Sequence, residues 1–331
     1  MPTLEENLNY WDRDYDWTRG GEEWSSRWGS SESQWWGTLM ARIHAFLPCE
    51  SILEIAPGYG RWTHYLKDLC KKLTVVDISE RCIQACQERF AGSDHIRYAV
   101  NDGKSLAMVP DESIDFVFSF DSLVHAEAEV LQAYLAQLAH KLKPNGIGWI
   151  HHSNAAHYKA HVRLTKHLRL SRGRRFLAEM GLLVDDCGRA LSMSAPLFDE
   201  YCTQAGLQCI SQELINWEGR ALIDSFSVFT RRGSIWERPK RVIQNRSFIS
   251  EARSLAHVGK LYEWPQAAAE SRWIFDGPGV RQQRIEPTVG PAAGDLFEHM
   301  LDVRGRDGPV DLPGKKRPQF PEPTIDPPHH R

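Results

Sequence analysis

Residues 51–60, Ser-Ile-Leu-Glu-Ile-Ala-Pro-Gly-Tyr-Gly, read as a buried strand running straight into a glycine turn, with a helical stretch at 61–69 directly behind it. Strand, tight bend and helix in that order open a parallel α/β sheet, and such a bend lets the backbone come close to a nucleotide-type ligand. The spacing narrows the choice. A dinucleotide fingerprint, G-x-G-x-x-G, wants glycine at three positions, and after Gly58 and Gly60 the third holds Thr63. The loop keeps its close approach but lacks the glycine used for tight helix-to-strand packing, which puts an NAD or FAD reading at a disadvantage.

Four further runs follow. Residues 73–77, Leu-Thr-Val-Val-Asp, form a β-branched run ending in Asp77, 17 positions beyond Gly60, where a carboxylate can accept hydrogen bonds from both ribose hydroxyls. Residues 96–100 lead into Asn101-Asp102-Gly103; residues 114–121 lead into Ser-Leu-Val-His125-Ala-Glu127; residues 146–152 follow Leu-Lys-Pro144-Asn-Gly and end in His151-His152. In this order the five elements resemble the class I S-adenosylmethionine (SAM) dependent methyltransferases, over residues 45 to 232. The resemblance implies an α/β fold: a Rossmann-like, doubly wound, mostly parallel seven-stranded sheet.

The family pattern E-x-G-x-G-x-G stands here as Glu54-Ile55-Ala56-Pro57-Gly58-Tyr59-Gly60, with Ala56 in place of one glycine. The resemblance implies SAM as cofactor, with the loop residues Glu54, Ala56, Gly58 and Gly60 around it. Asp77 and its neighbour Ile78 are expected at the ribose, Asp102 and Gly103 at the adenine, and Phe120 and Asp121 on the other side. Each acid alone reads equally well as a helix N-cap or turn residue. Together they stand at the ends of successive strands, which is where an open α/β sheet binds ligands.

Composition agrees with an ordinary globular protein: 331 residues, 42% hydrophobic, 25% charged. A formal net charge of -3 gives no argument for nucleic acid or an acidic membrane surface. There is no apolar run long enough to span a membrane, and the opening Met-Pro-Thr-Leu-Glu-Glu-Asn lacks the basic and apolar regions of a secretory signal, so a cytoplasmic location is expected. Seven cysteines, scattered and without a C-x-x-C pair, fit reduced thiols rather than a disulfide frame or zinc site.

Along the chain the character changes several times. Residues 1–44 hold six of the twelve tryptophans and are expected to pack on the core as an aromatic arm. Residues 45–233 form the cofactor-binding domain, in which Leu131, Leu135, Leu138 and Leu142 mark one helix face. Within it, residues 155–193 carry a basic run from Lys159 to Arg175 that reads either as a lid over the acceptor or as a solvated helix face. Two later strands should close the sheet as an antiparallel pair. Residues 234–285 read as a helical extension, with Phe248, Ala252, Leu255 and Tyr262 on one stripe. Residues 286–331 hold nine of eighteen prolines and read as a disordered tail.

SAM carries its reactive methyl on a sulfonium, so the protein's share is alignment and, for a hydroxyl acceptor, a base. His125, just past the fourth strand, is the first candidate, since imidazole with an ordinary pKa of ~6.5 can take a proton at neutral pH. Glu127 or Asp121 could orient it. His151 and His152 end the fifth strand and face opposite ways, so at most one looks into the site. Asp121, Glu127 and one of these histidines could also offer ligands to a divalent metal such as Mg2+, though no compact motif such as H-E-x-x-H supports it.

Within the superfamily, Glu54–Thr63 with Phe-Asp-Ser-Leu-Val-His-Ala-Glu, His-His-Ser-Asn and Asp224-Ser-Phe-Ser-Val-Phe-Thr looks like methyltransferases of bacterial sugar and polysaccharide modification. The acceptor so implied is a sugar or glycan hydroxyl. A small-molecule N-methyltransferase and a noncatalytic SAM-fold binding protein remain the alternatives, and nothing in the chain indicates an oligomeric state.

Overall fold

A computed structural model describes residues 3–167, 184, 187–217 and 219–262. The expectations for residues 168–183 and for the proline-rich end at 286–331 lie outside the described residues.

Eight strands form one sheet: β1 (Cys49–Ile55), β2 (Cys70–Asp77), β3 (Ile96–Val100), β4 (Ile114–Ser119), β5 (Leu142–Ser153), β6 (Leu207–Ile215), β7 (Asp224–Arg231) and β8 (Arg241–Asn245). Their spatial order is β3-β2-β1-β4-β5-β7-β6-β8. β1, at the centre, pairs parallel with β2 and β4, so that Ile52 lies beside both Leu73 and Phe116. β2–β3 and β4–β5 are also parallel, while β7 runs antiparallel to β5 and β6. The chain winds outward from β1 in one direction, then returns to continue from β4 in the other. A crevice therefore opens at the carboxyl ends of β1 and β4.

Burial on both faces explains why β1 and β4 read as near-continuous apolar runs. Successive side chains point to opposite faces, and the core divides accordingly. Ile52, Phe116 and Trp149 join one cluster, closed by Trp28, Trp35, Leu39 and Phe248. Leu53, Val117 and Ile150 join the other, closed by Leu131, Leu135 and Leu138 of the helix Ala128–Lys141 and by Phe198 of the helix Ala195–Gln204. Trp28 and Trp35 are essentially unexposed, and Trp28 donates its indole N–H to the Thr38 hydroxyl at 2.8 Å. Burial of such rings contributes roughly 4–6 kcal/mol each before the entropy of ordering them is subtracted.

The mostly parallel α/β architecture is the one expected, with one correction: the sheet has eight strands, not seven. β8 pairs parallel with β6 from Ser211–Arg241 to Ile215–Asn245, inside a stretch read as purely helical. It is an edge strand with Val242 and Ile243 half exposed or more, so no alternation of apolar and polar residues betrays it. The helix expected behind it runs Phe248–Gly259, with Phe248 and Ala252 buried, whereas Tyr262 lies beyond its end and is 80% exposed. Among the described residues no helix is long and apolar enough to cross a membrane.

Between β5 and β7 the packing leaves no room for a side chain at Gly148, where an added β-carbon would stand 2.2 Å from the Phe229 ring. Gly148→Ala should therefore lower unfolding stability by about 1–3 kcal/mol, through overpacking against a ring that buried neighbours hold in place. Urea unfolding checks this, and an unchanged midpoint would show that Phe229 can move aside.

Candidate functional site

The crevice holds a cavity of about 910 Å³ counted out to its open mouth. Its floor comes from the turns after β1, β2, β3 and β4: Ala56, Gly58, Asp77, Ile78, Gly103, Phe120, Asp121 and His125 all line it. Its roof comes from the N-terminal arm, through Leu4, Asn7, Trp11, Trp17 and Trp24.

The turn after β1 departs sharply from strand geometry. Ala56 (φ 58°), Gly58 (φ 59°) and Gly60 (φ 79°) are all left-handed, which costs the alanine strain that a glycine would not bear. The Ala56 N–H donates to the Val76 carbonyl and the Ala56 carbonyl accepts from the Ser122 hydroxyl, at 2.8 and 2.7 Å, and these bonds hold it. The missing side chain of Gly58 leaves room for the Trp17 indole, which would lie 2.8 Å from an added β-carbon. Gly60 lies outside the cavity lining, its vacant β-position being filled by Phe90.

Asp77, almost fully buried at the end of β2, accepts the N–H of Gly58 at 3.2 Å and of Ser79 at 2.9 Å. Burial raises its pKa to about 6 against the opposing pull of those donors. Asp102 is placed differently from the adenine role expected of it. Its exposed carboxylate closes a turn by accepting the N–H of Lys104 and Ser105, and it does not line the cavity. Asn101 works inward instead, donating to the Tyr134 hydroxyl at 3.0 Å and accepting the N–H of Gly103 at 2.9 Å.

Glu54 also stays out of the cavity. It is 1% exposed, accepts the Thr63 hydroxyl at 2.6 Å through one oxygen and leaves the other without a partner. Burial pushes its pKa up to about 8, so it is protonated at neutral pH.

His125 faces the cavity with Trp11 5.6 Å away, ring centre to ring centre. Its Nδ1 lies 2.9 Å from the Gly188 carbonyl. A carbonyl can only accept, so Nδ1 carries the hydrogen and the neutral ring keeps a lone pair on Nε2. Burial, and after it the Arg189 charge, lower the His125 pKa and keep the ring neutral. Glu127 does not orient it: its carboxylate accepts the Ser192 hydroxyl, which in turn accepts the Ala128 N–H.

The two histidines ending β5 are both fully buried and neither lines the cavity. His152 stacks flat on Phe198 and contacts the Ser227 hydroxyl at 2.7 Å, with its pKa pressed down to about 3 by burial. His151 accepts the Asp121 N–H on Nδ1 at 3.1 Å and sets Nε2 3.4 Å from Asp224. Among the described residues no three His, Cys, Asp or Glu side chains gather to hold a metal, and Asp121, Glu127 and the histidines each turn to other partners.

Three charged residues of this region carry no role in the sequence reading. Arg61 is buried between the faces of Trp24 and Trp62, donates to the Ser25 hydroxyl at 3.0 Å and reaches Asp121 at 3.4 Å. Arg189 forks onto Asp224, with its nearest contact at 2.9 Å, and lies 4.0 Å from the other Asp121 oxygen. Arg61 directly follows the glycine turn, and that position is the one signal that could have singled it out.

The chain is similar to one family model and to three known proteins. Residues 52–146 match the family model of a methyltransferase domain. Nodulation protein S of Sinorhizobium fredii is 27% identical over 100 residues, 30% of this chain, and the chain spans 45% of that relative's length. A solved Pyrococcus horikoshii protein superimposes at TM-score 0.45 with 19% identity, over 68% of this chain and 96% of that one; a SAM-dependent methyltransferase from Leishmania major does so at 0.48 with 13% identity, over 69% and 82%. The residues matched by the family model are less than a third of the chain.

Glu54 offers a pH test. An unfolded chain loses this proton near the ordinary value of 4.5 and the folded chain only near about 8, so the stability present below the lower value is lost as pH rises towards the upper one. Asp77 contributes in the same direction but finishes near about 6. Between those two upper values the wild type should lose up to about 1.4 kcal/mol per pH unit that Glu54→Gln does not lose, as read from urea midpoints across that window.

Proposed function

We propose that this chain is a SAM-dependent O-methyltransferase whose acceptor is a hydroxyl of a sugar or glycan. The observation that carries the reading is His125: a neutral imidazole, its Nδ1–H held by the Gly188 carbonyl, with the Nε2 lone pair left to take a proton at a cavity built on a methyltransferase turn.

The cavity residues suit the cofactor. Asp77 is a buried carboxylate that accepts from backbone N–H groups and keeps lone pairs for ribose hydroxyls, and Gly58 presents bare backbone beside it. Ile78 and Phe120 supply apolar walls, and Gly103 and Tyr134 line the cavity as well, with Asn101 bonded to the Tyr134 hydroxyl behind them. The cofactor supplies a methyl group on a positively charged sulfonium. What falls to the chain is to exclude water, align the acceptor oxygen and remove its proton at His125 Nε2.

The sugar assignment draws on the arm. Trp11 borders the cavity next to His125, and an indole face packs well against the apolar C–H face of a sugar ring while hydroxyls find polar partners at the rim. The same reading keeps the protein in a reducing cytoplasm, in keeping with seven cysteines that are all free.

The chain should bind SAM and S-adenosylhomocysteine in calorimetry, and Asp77→Ala should weaken both. In an assay of radiolabelled methyl transfer onto extracted glycans, His125→Gln should cut turnover by roughly 10²–10⁴-fold with cofactor affinity unchanged. Full turnover in His125→Gln would point to an amine acceptor, which needs no strong base, and calorimetry without heat from either ligand would end the proposal.

A further inference from the structure

Asp224 opens β7, is fully buried and stands outside the cavity lining, yet two separate chains of contacts lead from it to cavity residues. One passes through Arg189, whose Nε and Nη2 reach the Asp224 carboxylate at 2.9–3.3 Å while Nη1 donates to the Cys187 carbonyl at 3.1 Å. Between Cys187 and Arg189 sits Gly188, the residue whose carbonyl receives the His125 Nδ1–H. Cys187 (φ 47°) and Gly188 (φ 73°) are both left-handed, a conformation that keeps its shape only when its surroundings fix it. Ala190 fixes the far side by donating its N–H to Val124 and accepting from the Ser153 hydroxyl, at 3.0 and 2.8 Å.

The second chain passes through His151. Its Nε2 lies 3.4 Å from Asp224, and its Nδ1 accepts the N–H of Asp121, a left-handed residue (φ 64°) that lines the cavity. Since Nδ1 accepts, a neutral His151 carries its hydrogen on Nε2, the side towards Asp224.

We propose that Asp224 is a positioning residue that sets two cavity residues from one buried carboxylate: the tautomer and direction of His125 through Arg189 and Gly188, and the backbone of Asp121 through His151. The effect on turnover rests on the reading of His125 as the base; the effect on the His125 ring does not. Arginine suits this task because its planar fork fixes direction as well as charge, which a lysine ammonium cannot do.

The test uses the full chain labelled with 15N at histidine. In the wild type His125 should show one tautomer, protonated at Nδ1. In Asp224→Asn the fork loses its charged partner, and the ring should divide between tautomers or lose its sharp signal. Turnover should then fall at least tenfold while the affinity for S-adenosylhomocysteine stays within threefold, a split that a general loss of structure would not give. Arg189→Lys keeps a positive charge at the site and should show the same ring change in smaller measure; it also serves if Asp224→Asn does not fold. A single Nδ1–H ring with wild-type turnover in either folded variant overturns the proposal. A changed ring in a chain that transfers no methyl group even as wild type would leave the positioning role standing and remove the functional reading instead.

Discussion

The bond from the Gly58 N–H to the Asp77 carboxylate holds the cavity together. It ties the turn after β1 to the end of β2, two strands whose parallel pairing brings their carboxyl ends to one crevice. Burying that carboxylate is unfavourable, and two backbone donors offset only part of the cost, which is why its pKa stands near 6. A ligand that brings hydroxyl donors to the remaining lone pairs would complete the set.

The charged residues on the other side are balanced against one another. Arg61 and Arg189 flank Asp121, and Asp224 neutralises Arg189 from behind, so two cations face two carboxylates in a region from which water is largely excluded. Burial works against the charge on Asp224, but Arg189 and His151 hold its pKa below the ordinary carboxylate range. Arg189 stays charged for the complementary reason. Removing one member would leave an unpaired buried charge, which costs far more than the pair contributes. The arrangement fixes geometry more than it adds stability.

The parts of this fold that sequence could reveal were those governed by periodicity. β1 to β7 and the Leu131–Leu138 face are readable because a buried strand must be apolar and a packed helix must repeat its apolar residues. β8 is not, because main-chain pairing with β6 and an exposed edge leave no such mark. In the site, the glycine turn and Asp77 were legible from spacing. The direction of a side chain was not: Asp102 and its neighbour Asn101 are equally good turn formers, and only the three-dimensional chain decides which faces Tyr134. Arg189 and Asp224 are 35 positions apart, and nothing local in the sequence marks them as partners.

The tryptophan-rich arm serves the core and the cavity with different residues. Trp28 and Trp35 sit in the core, whereas Trp11, Trp17 and Trp24 close the cavity, with Trp17 stacked on Tyr59 at 4.4 Å. An open α/β sheet leaves the carboxyl ends of its strands facing solvent, and a histidine whose pKa is lowered by burial keeps that shift only while solvent is kept away. The arm provides this cover. Asn7 donates to the His125 carbonyl at 3.1 Å, and the Asp12 carboxylate accepts the Ser79 hydroxyl at 2.6 Å, so the roof is fastened to the turns after β4 and β2. Because the roof touches the same turns that form the floor, whatever fills the cavity meets the arm and the sheet at once. The environment that keeps His125 neutral therefore depends on the arm being in place.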